Sequence, residues 1–314
     1  NVLLTFNRLY SGHQLYGTTN ATLTAEEVFR QSADADQELY TGISELGNDV
    51  HDNTLRITGL GANGLSHFAA AGYTTGAAGD LTNNALTLSS ANALTIRNVY
   101  GGYAANTASA AKVTGNSVTL THGALSADNV YGGYTAAADG TTNNNTVTLA
   151  GGTVTGTIYG GNKGAAGNTL AVKGGLTAGN IKNFDTVKFV LGHAGETMLR
   201  LTDGSETALD WENGLAFDTS HASASATGIS TWTLLDSANA VTFDHYDRAK
   251  NITDTLEYVI DKSADGKKII AKGYQHSHND GGRVSSGTYL RAWGGLSESG
   301  HDVEKNSLSV DGTA

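Results

Sequence analysis

The chain repeats itself with a period close to thirty residues, and that period limits the possible fold more than any other feature. NVYGG (98–102), NVYGG (129–133) and TIYGG (157–161) share one signature, and shorter copies precede them as YSG, YTG and AAG. The last glycine of each copy serves as a marker: Gly12, Gly42, Gly72, Gly102, Gly133 and Gly161, each about thirty positions after the one before. Two residues before each marker stand Tyr10, Tyr40, Ala70, Tyr100, Tyr131 and Tyr159, so one copy alone lacks a ring there. A second motif runs in step. It opens on Asn53, Asn84, Asn116, Asn145 and Asn168, in NTLRITG, NALTLSS, NSVTLTHG, NTVTLAGG and NTLAVKGG. After each asparagine, apolar residues alternate with polar ones, as at Val118 and Leu120 or Val147 and Leu149. That is the period of a strand with one buried face.

A unit of about thirty residues with two or three short strands and no helix cannot bury its apolar side alone; it must stack on its neighbours. The pattern therefore predicts an all-β fold, a β-solenoid of the right-handed parallel β-helix type with coils of about 30 residues. Stacking places equivalent residues above one another, so the asparagines are expected to form an amide ladder and the tyrosines an aromatic column. The marker glycines are expected where the chain turns sharply or where backbones approach closely. The tyrosine column admits two readings. It is either a strip whose ring faces stack on sugars, or a structural ladder that shows only its hydroxyls.

Composition removes several function classes. With no cysteine, the chain has no disulfide, thiolate metal site or cysteine nucleophile. A net charge of −11 without a basic patch argues against nucleic acid. No apolar run approaches the roughly 20 residues of a membrane helix, and no signal peptide is recognisable, so any export signal is expected outside this sequence. The absence of proline suits ladders in which every backbone N–H is used.

Candidate chemistry is sparse. Between residues 81 and 175 only Asp128 and Asp139 are acidic, and they occupy different places on their coil. That is a poor basis for a carboxylate pair. Asp34, Asp36 and Glu38 alternate in SADADQEL, but no glycine-turned calcium loop frames them. His276 and His278 with Asp280 have a spacing that also fits a polar loop. A polysaccharide-cleaving site, the alternative reading, is expected among Glu196, Asp203, Asp210 and Glu212. No catalytic residue, metal or cofactor is assigned, and the chain is expected not to be an enzyme.

The organisation changes along the chain. Residues 1–175 read as coils. Residues 176–275 read as a β-rich cap, with a hairpin-like GHAGE turn (192–196) and a β-turn in SADGKK (263–268). Residues 276–314 read as a loop and a resumed partial coil, in which Trp293 replaces the tyrosine, Gly295 is the marker and Asn306 opens NSLSVDG. The stretch after Gly295 and the stretch up to Gly12 together make the length of one coil. Copies are therefore expected to continue one another, in tandem or head to tail.

NTVTLAGGTVTGTIYGG, followed by GNIKNFDTVKFVL and AGETMLRLTDG, resembles the passenger domains of Gram-negative autotransporters. The likeness covers roughly residues 50–275, and its last part resembles the folding-promoting region of such passengers. It implies secretion to the surface of a Gram-negative bacterium. It also implies a role in adhesion, aggregation or matrix formation, with surface glycans or proteins as partners. Residues 276–314 do not read as the strands of a membrane barrel, which departs from the family pattern.

Overall fold

A computed structural model describes residues 8–14, 22–25, 38–57, 65–89, 94–108, 110–121, 125–210, 214–223, 229–244, 250–252, 256–275, 283–285 and 291–293. The described residues contain strands and turns and no helix. They form the predicted β-solenoid.

Each early coil carries three strands. A long one, such as Leu94–Ala104 or Leu125–Thr135, lies on the first face. A two- or three-residue strand, such as Lys112–Thr114, lies on a short face, and a four-residue strand, such as Ser117–Leu120, lies on a second long face. On the first face nine strands stack in parallel, from Arg8–Gln14 to Ser230–Ser237. Eight strands stack in parallel on the second face, from Thr22–Ala25 to Leu215–Asp218. At about 4.8 Å per strand, the first face is roughly 38 Å tall.

Register turns the sequence repeat into columns. Leu55, Leu86, Val118, Val147, Leu170 and Val187 are Cα partners in succession on the second face. Two residues on, Ile57, Leu88, Leu120, Leu149, Val172 and Phe189 form the next column. All are buried against Ile96, Val99, Val130, Ile158 and Ile181 of the first face. Burial of each such side chain contributes about 1.5–3 kcal/mol, which no coil obtains alone. Thr87, Thr119 and Thr148 occupy the alternating, part-exposed positions. A smaller core lies under the short face, from Val50, Leu81, Val113, Ala104 and Ala111.

The parallel stack does not end near residue 175. Leu176–Lys182 pairs in parallel with Gly152–Gly161 and Thr197–Leu201, and Thr186–Val190 with Thr169–Val172. What changes is coil length. The short face ends at Thr141–Asn143, and the ladder asparagines that stood 29 residues apart at Asn116 and Asn145 stand 23 apart at Asn145 and Asn168. The GHAGE segment is not a hairpin. It joins Thr186–Val190 on the second face to Thr197–Leu201 on the first, so it is a coil corner.

The switch to antiparallel pairing comes later, where Ser230–Ser237 meets Lys268–Gln275, which in turn pairs with Leu256–Lys262. The SADGKK turn joins these last two strands, with Gly266 left-handed at φ 69°. Trp232 is fully buried there and donates from Nε1 to the Gly192 carbonyl at 3.1 Å, closing that end of the core.

Candidate functional site

The two columns anticipated from the repeat meet at one corner of the coil. The asparagines sit between the short and second faces, and all five are fully buried. Nδ2 of Asn53 donates to Oδ1 of Asn84 at 2.8 Å, and Asn84 to Asn116 at 2.8 Å. Asn116 donates to Asn145 and Asn145 to Asn168, each at 3.2 Å. Oδ1 of each of Asn84, Asn116, Asn145 and Asn168 also accepts the backbone N–H of the asparagine before it, at 2.8–3.2 Å. The second Nδ2 proton goes to a backbone carbonyl of His51, Val50, Leu81, Val113 or Thr142. Asn84, Asn116 and Asn145 thus satisfy their whole amide within the ladder without water, the condition for burying it. The column ends on a carboxylate: Asn168 N–H donates to Asp185 Oδ2 at 3.1 Å.

The residue before each ladder asparagine turns the corner with a left-handed backbone: Asp52 (φ 54°), Asn83 (56°), Gly115 (67°), Asn144 (54°) and Gly167 (69°). Only glycine, asparagine and aspartate adopt that conformation readily. The pairs DN, NN, GN, NN and GN were therefore a second signal in the sequence, independent of the period.

The marker glycines serve the same corner. Gly42, Gly72, Gly102, Gly133 and Gly161 follow one another in register, and Tyr10 and Gly12 are backbone partners of Tyr40 and Gly42. None of the five is left-handed. Gly42, Gly72, Gly102 and Gly133 are needed because an asparagine amide lies against them, whereas Gly161 lies against Thr142. A Cβ on Gly42 would stand 2.6 Å from Nδ2 of Asn53, and one on Gly72 would stand 2.7 Å from Cγ and Nδ2 of Asn84. The glycine pair lies inside a continuous strand rather than in a turn between strands. Within it the inward–outward alternation slips by one residue: Val99 and Ala104 face cores, while Tyr100 and Tyr103 lie together on the other side.

That outer side carries the aromatic column. Tyr100 and Tyr131 stack with centroids 4.9 Å apart and planes 10° apart, and Tyr131 and Tyr159 at 4.7 Å and 1°. A second column, Tyr73, Tyr103 and Tyr134, runs beside it and was not anticipated. Its rings meet the first at Tyr100–Tyr103 (4.5 Å, 15°) and edge-on at Tyr131–Tyr134 (5.2 Å, 82°). Where Ala70 breaks the first column, Phe68 fills the gap from two residues earlier on the strand. It stacks on Tyr40 at 6.2 Å and meets Tyr100 edge-on at 6.0 Å. Beyond Tyr159 the register passes to Lys182, which pairs with Glu206 at 2.8 Å.

These contacts use the ring faces. A tyrosine sandwiched between two rings offers an incoming sugar only its edge and hydroxyl. Tyr100 is 8% exposed, and its neighbours are half-buried. Burial, then the adjoining phenols, push the hydroxyl pKa values of Tyr100 and Tyr131 up, Tyr131 to about 12. Burial and Tyr134, with Glu38, do the same for Tyr103. The hydroxyls stay protonated hydrogen-bond donors across the physiological range.

The acidic candidates do not converge. Asp128 pairs with Arg97 of the preceding coil at 3.6 Å, on the surface. Glu196 and Asp203 flank opposite ends of the strand Thr197–Leu201, which alone spans about 13 Å at about 3.3 Å per residue, beyond the separations glycosidases use. The Ser205 side chain first, then Asn180 Nδ2, the Ser205 N–H and Asn239 Nδ2, hydrogen-bond the Asp203 carboxylate and hold it down at about 2, unsuited to a general acid. Asp210 ends a short strand paired in parallel with Thr242–Asp244. Glu38 lies buried in a first-face strand. Asp34, Asp36, Glu212, His276, His278, Asp280, Gly295 and Asn306 fall outside the described residues. Trp293 pairs antiparallel with Arg283 in a separate two-stranded sheet. Among the described residues no three metal-ligating side chains gather, and no helix is long and apolar enough to cross a membrane.

No family model, curated protein or solved structure matches the chain. Its identity rests on its own architecture, a β-solenoid held in register by a buried asparagine ladder and an outer aromatic column.

Proposed function

We propose that the chain is a structural and adhesive rod of the kind displayed at, or secreted from, the surface of a Gram-negative bacterium, as autotransporter passengers are. It holds a contact surface away from its anchor and performs no catalysis. Its partners are further copies of itself, stacked end on end, and surface glycans or proteins met through the Thr, Asn and Tyr hydroxyl and amide rows. The observation that carries this reading is how the aromatic and amide side chains are spent. Their faces and hydrogen bonds go into coil-to-coil stacking, which stiffens the rod, while the acidic candidates of the described surface stand apart from one another.

Two measurements on the full chain test the proposal. Electron microscopy is expected to show straight rods of uniform width, joined end to end as concentration rises. Incubation with a panel of bacterial and host polysaccharides is expected to release no reducing ends. Steady sugar release would replace this reading with the alternative, a polysaccharide-degrading or glycan-recognising β-helix. Flexible, irregular particles would remove the mechanical basis of the proposal.

A further inference from the structure

We infer that Tyr131 and Tyr159 are a site of oxidative cross-linking, which joins two neighbouring coils through a dityrosine bond. Three observations converge on this pair. The backbone register makes the two residues direct partners in parallel strands. Their rings lie 4.7 Å apart and 1° from parallel, so equivalent ring carbons face each other at about the strand spacing. Both side chains are half-buried, reachable by a small oxidant yet held in place by the column. Tyr100 stacks on the other face of Tyr131 at 4.9 Å but is only 8% exposed, so it is shielded from the oxidant and Tyr159 is the accessible stacked partner of Tyr131.

The chemistry needs two equivalents of a one-electron oxidant, such as a peroxidase intermediate or a photogenerated metal complex. Each phenol gives one electron to the oxidant and its hydroxyl proton to water, leaving a phenoxyl radical. The two unpaired electrons form one bond between the ring carbons ortho to the oxygens. The hydrogens on those carbons then move as protons to the two oxygens and restore both aromatic rings. The product is the chain less two hydrogen atoms, and the oxidant is reduced by two electrons. The bond closes the loop that runs from Tyr131 round one coil to Tyr159. Cross-linking a loop of that size restrains the unfolded chain and raises stability.

The test uses the full chain at low concentration, oxidised by brief illumination with a ruthenium photosensitiser and persulfate. The expected result is dityrosine fluorescence in the monomer band, with one cross-linked peptide containing Tyr131 and Tyr159. The denaturation midpoint should shift upward in the oxidised monomer. Tyr159→Phe keeps the ring stack but removes the phenol; it should abolish that peptide and lower the monomer dityrosine yield severalfold. In urea the yield within the monomer should fall likewise. Dityrosine confined to cross-linked dimers, or a monomer yield unchanged in Tyr131→Phe/Tyr159→Phe, would overturn the assignment. Mapping the wild-type peptides decides the matter even if a variant fails to fold.

Discussion

The marker glycine of one motif packs directly against the asparagine of the other, and a double-mutant cycle measures the coupling. Asn84 makes four hydrogen bonds in the buried ladder: Oδ1 accepts from Asn53 N and Nδ2, and Nδ2 donates to Asn116 Oδ1 and the Val50 carbonyl. Asn84→Ala leaves those groups unmet in a dry corner. At about 1–3 kcal/mol for an orphaned buried group, less what relaxation recovers, the loss is about 3–5 kcal/mol. In Gly72→Ala the three atoms nearest the new methyl all belong to Asn84, at 2.7–3.0 Å. The backbone at Gly72 is not left-handed, so crowding alone sets the cost, about 1–3 kcal/mol. With Asn84 already alanine those atoms are gone, and Gly72→Ala should cost close to nothing. The expected coupling is about 1–3 kcal/mol in favour of the double variant. Urea unfolding followed by far-UV circular dichroism reads all four proteins, with unchanged slope as the check that stacked coils still melt together. An equal Gly72→Ala penalty in both backgrounds would refute the claim that this glycine exists to make room for the amide.

Other consequences are independent of that corner. Phe68→Ala, which empties the place Phe68 fills beside Ala70, should cost about 3–5 kcal/mol in the same urea experiment, since the ring is 1% exposed. Raising the pH should leave part of the tyrosine absorbance untitrated at about pH 11, where an ordinary phenol is about nine-tenths ionised. The folded Tyr131 hydroxyl lies at about 12 against 10.0 unfolded, so its contribution to stability is complete below pH 10 and lost between 10 and 12. A folded chain whose tyrosines titrate as ordinary phenols, about nine-tenths ionised at about pH 11, would contradict this. At the acid end the sign reverses. Asp203 and Asp218 are lowered from 3.8 to about 2 by their serine, asparagine and lysine partners, so the stability they supply is present above pH 4 and lost between 4 and 2. Asp203→Asn with Asp218→Asn should flatten that limb of the stability–pH curve.

Much of this architecture was legible in the sequence because stacking copies a one-dimensional period into columns. The asparagines, the marker glycines and the inward Val and Leu positions need only a constant spacing to be found. What was not legible has local causes. The short face consists of strands of two or three residues, such as Val50–His51 and Leu81–Thr82, too brief to show alternation. The second tyrosine column stayed hidden because Tyr73, Tyr103 and Tyr134 follow the glycine marker, where the alternation slips by one. Phe68 was missed because it serves the gap at Ala70 from a different register position. The repeat loses its sequence signature near residue 175, although the stack continues, because loss of the short face shortens the coil. At that point Lys182 takes the tyrosine position and Asp185 ends the amide ladder.

Coils far apart in sequence must lie one strand spacing apart in order, and spin-label distances test this directly. The native chain has no cysteine, so labels go only where they are placed. Arg56, Thr87, Thr119, Thr148, Ala171, Lys188 and Ala216 follow one another in register along the outer second face. Labels at Arg56 and Lys188, five strand steps apart, should give a narrow distribution at about 24 Å. Labels at Arg56 and Ala216, one step further, should give one at about 29 Å. Two narrow distances that differ by one strand spacing are the expected result. Broad distributions, or a separation that does not grow by one step between the two pairs, would contradict the stacked solenoid.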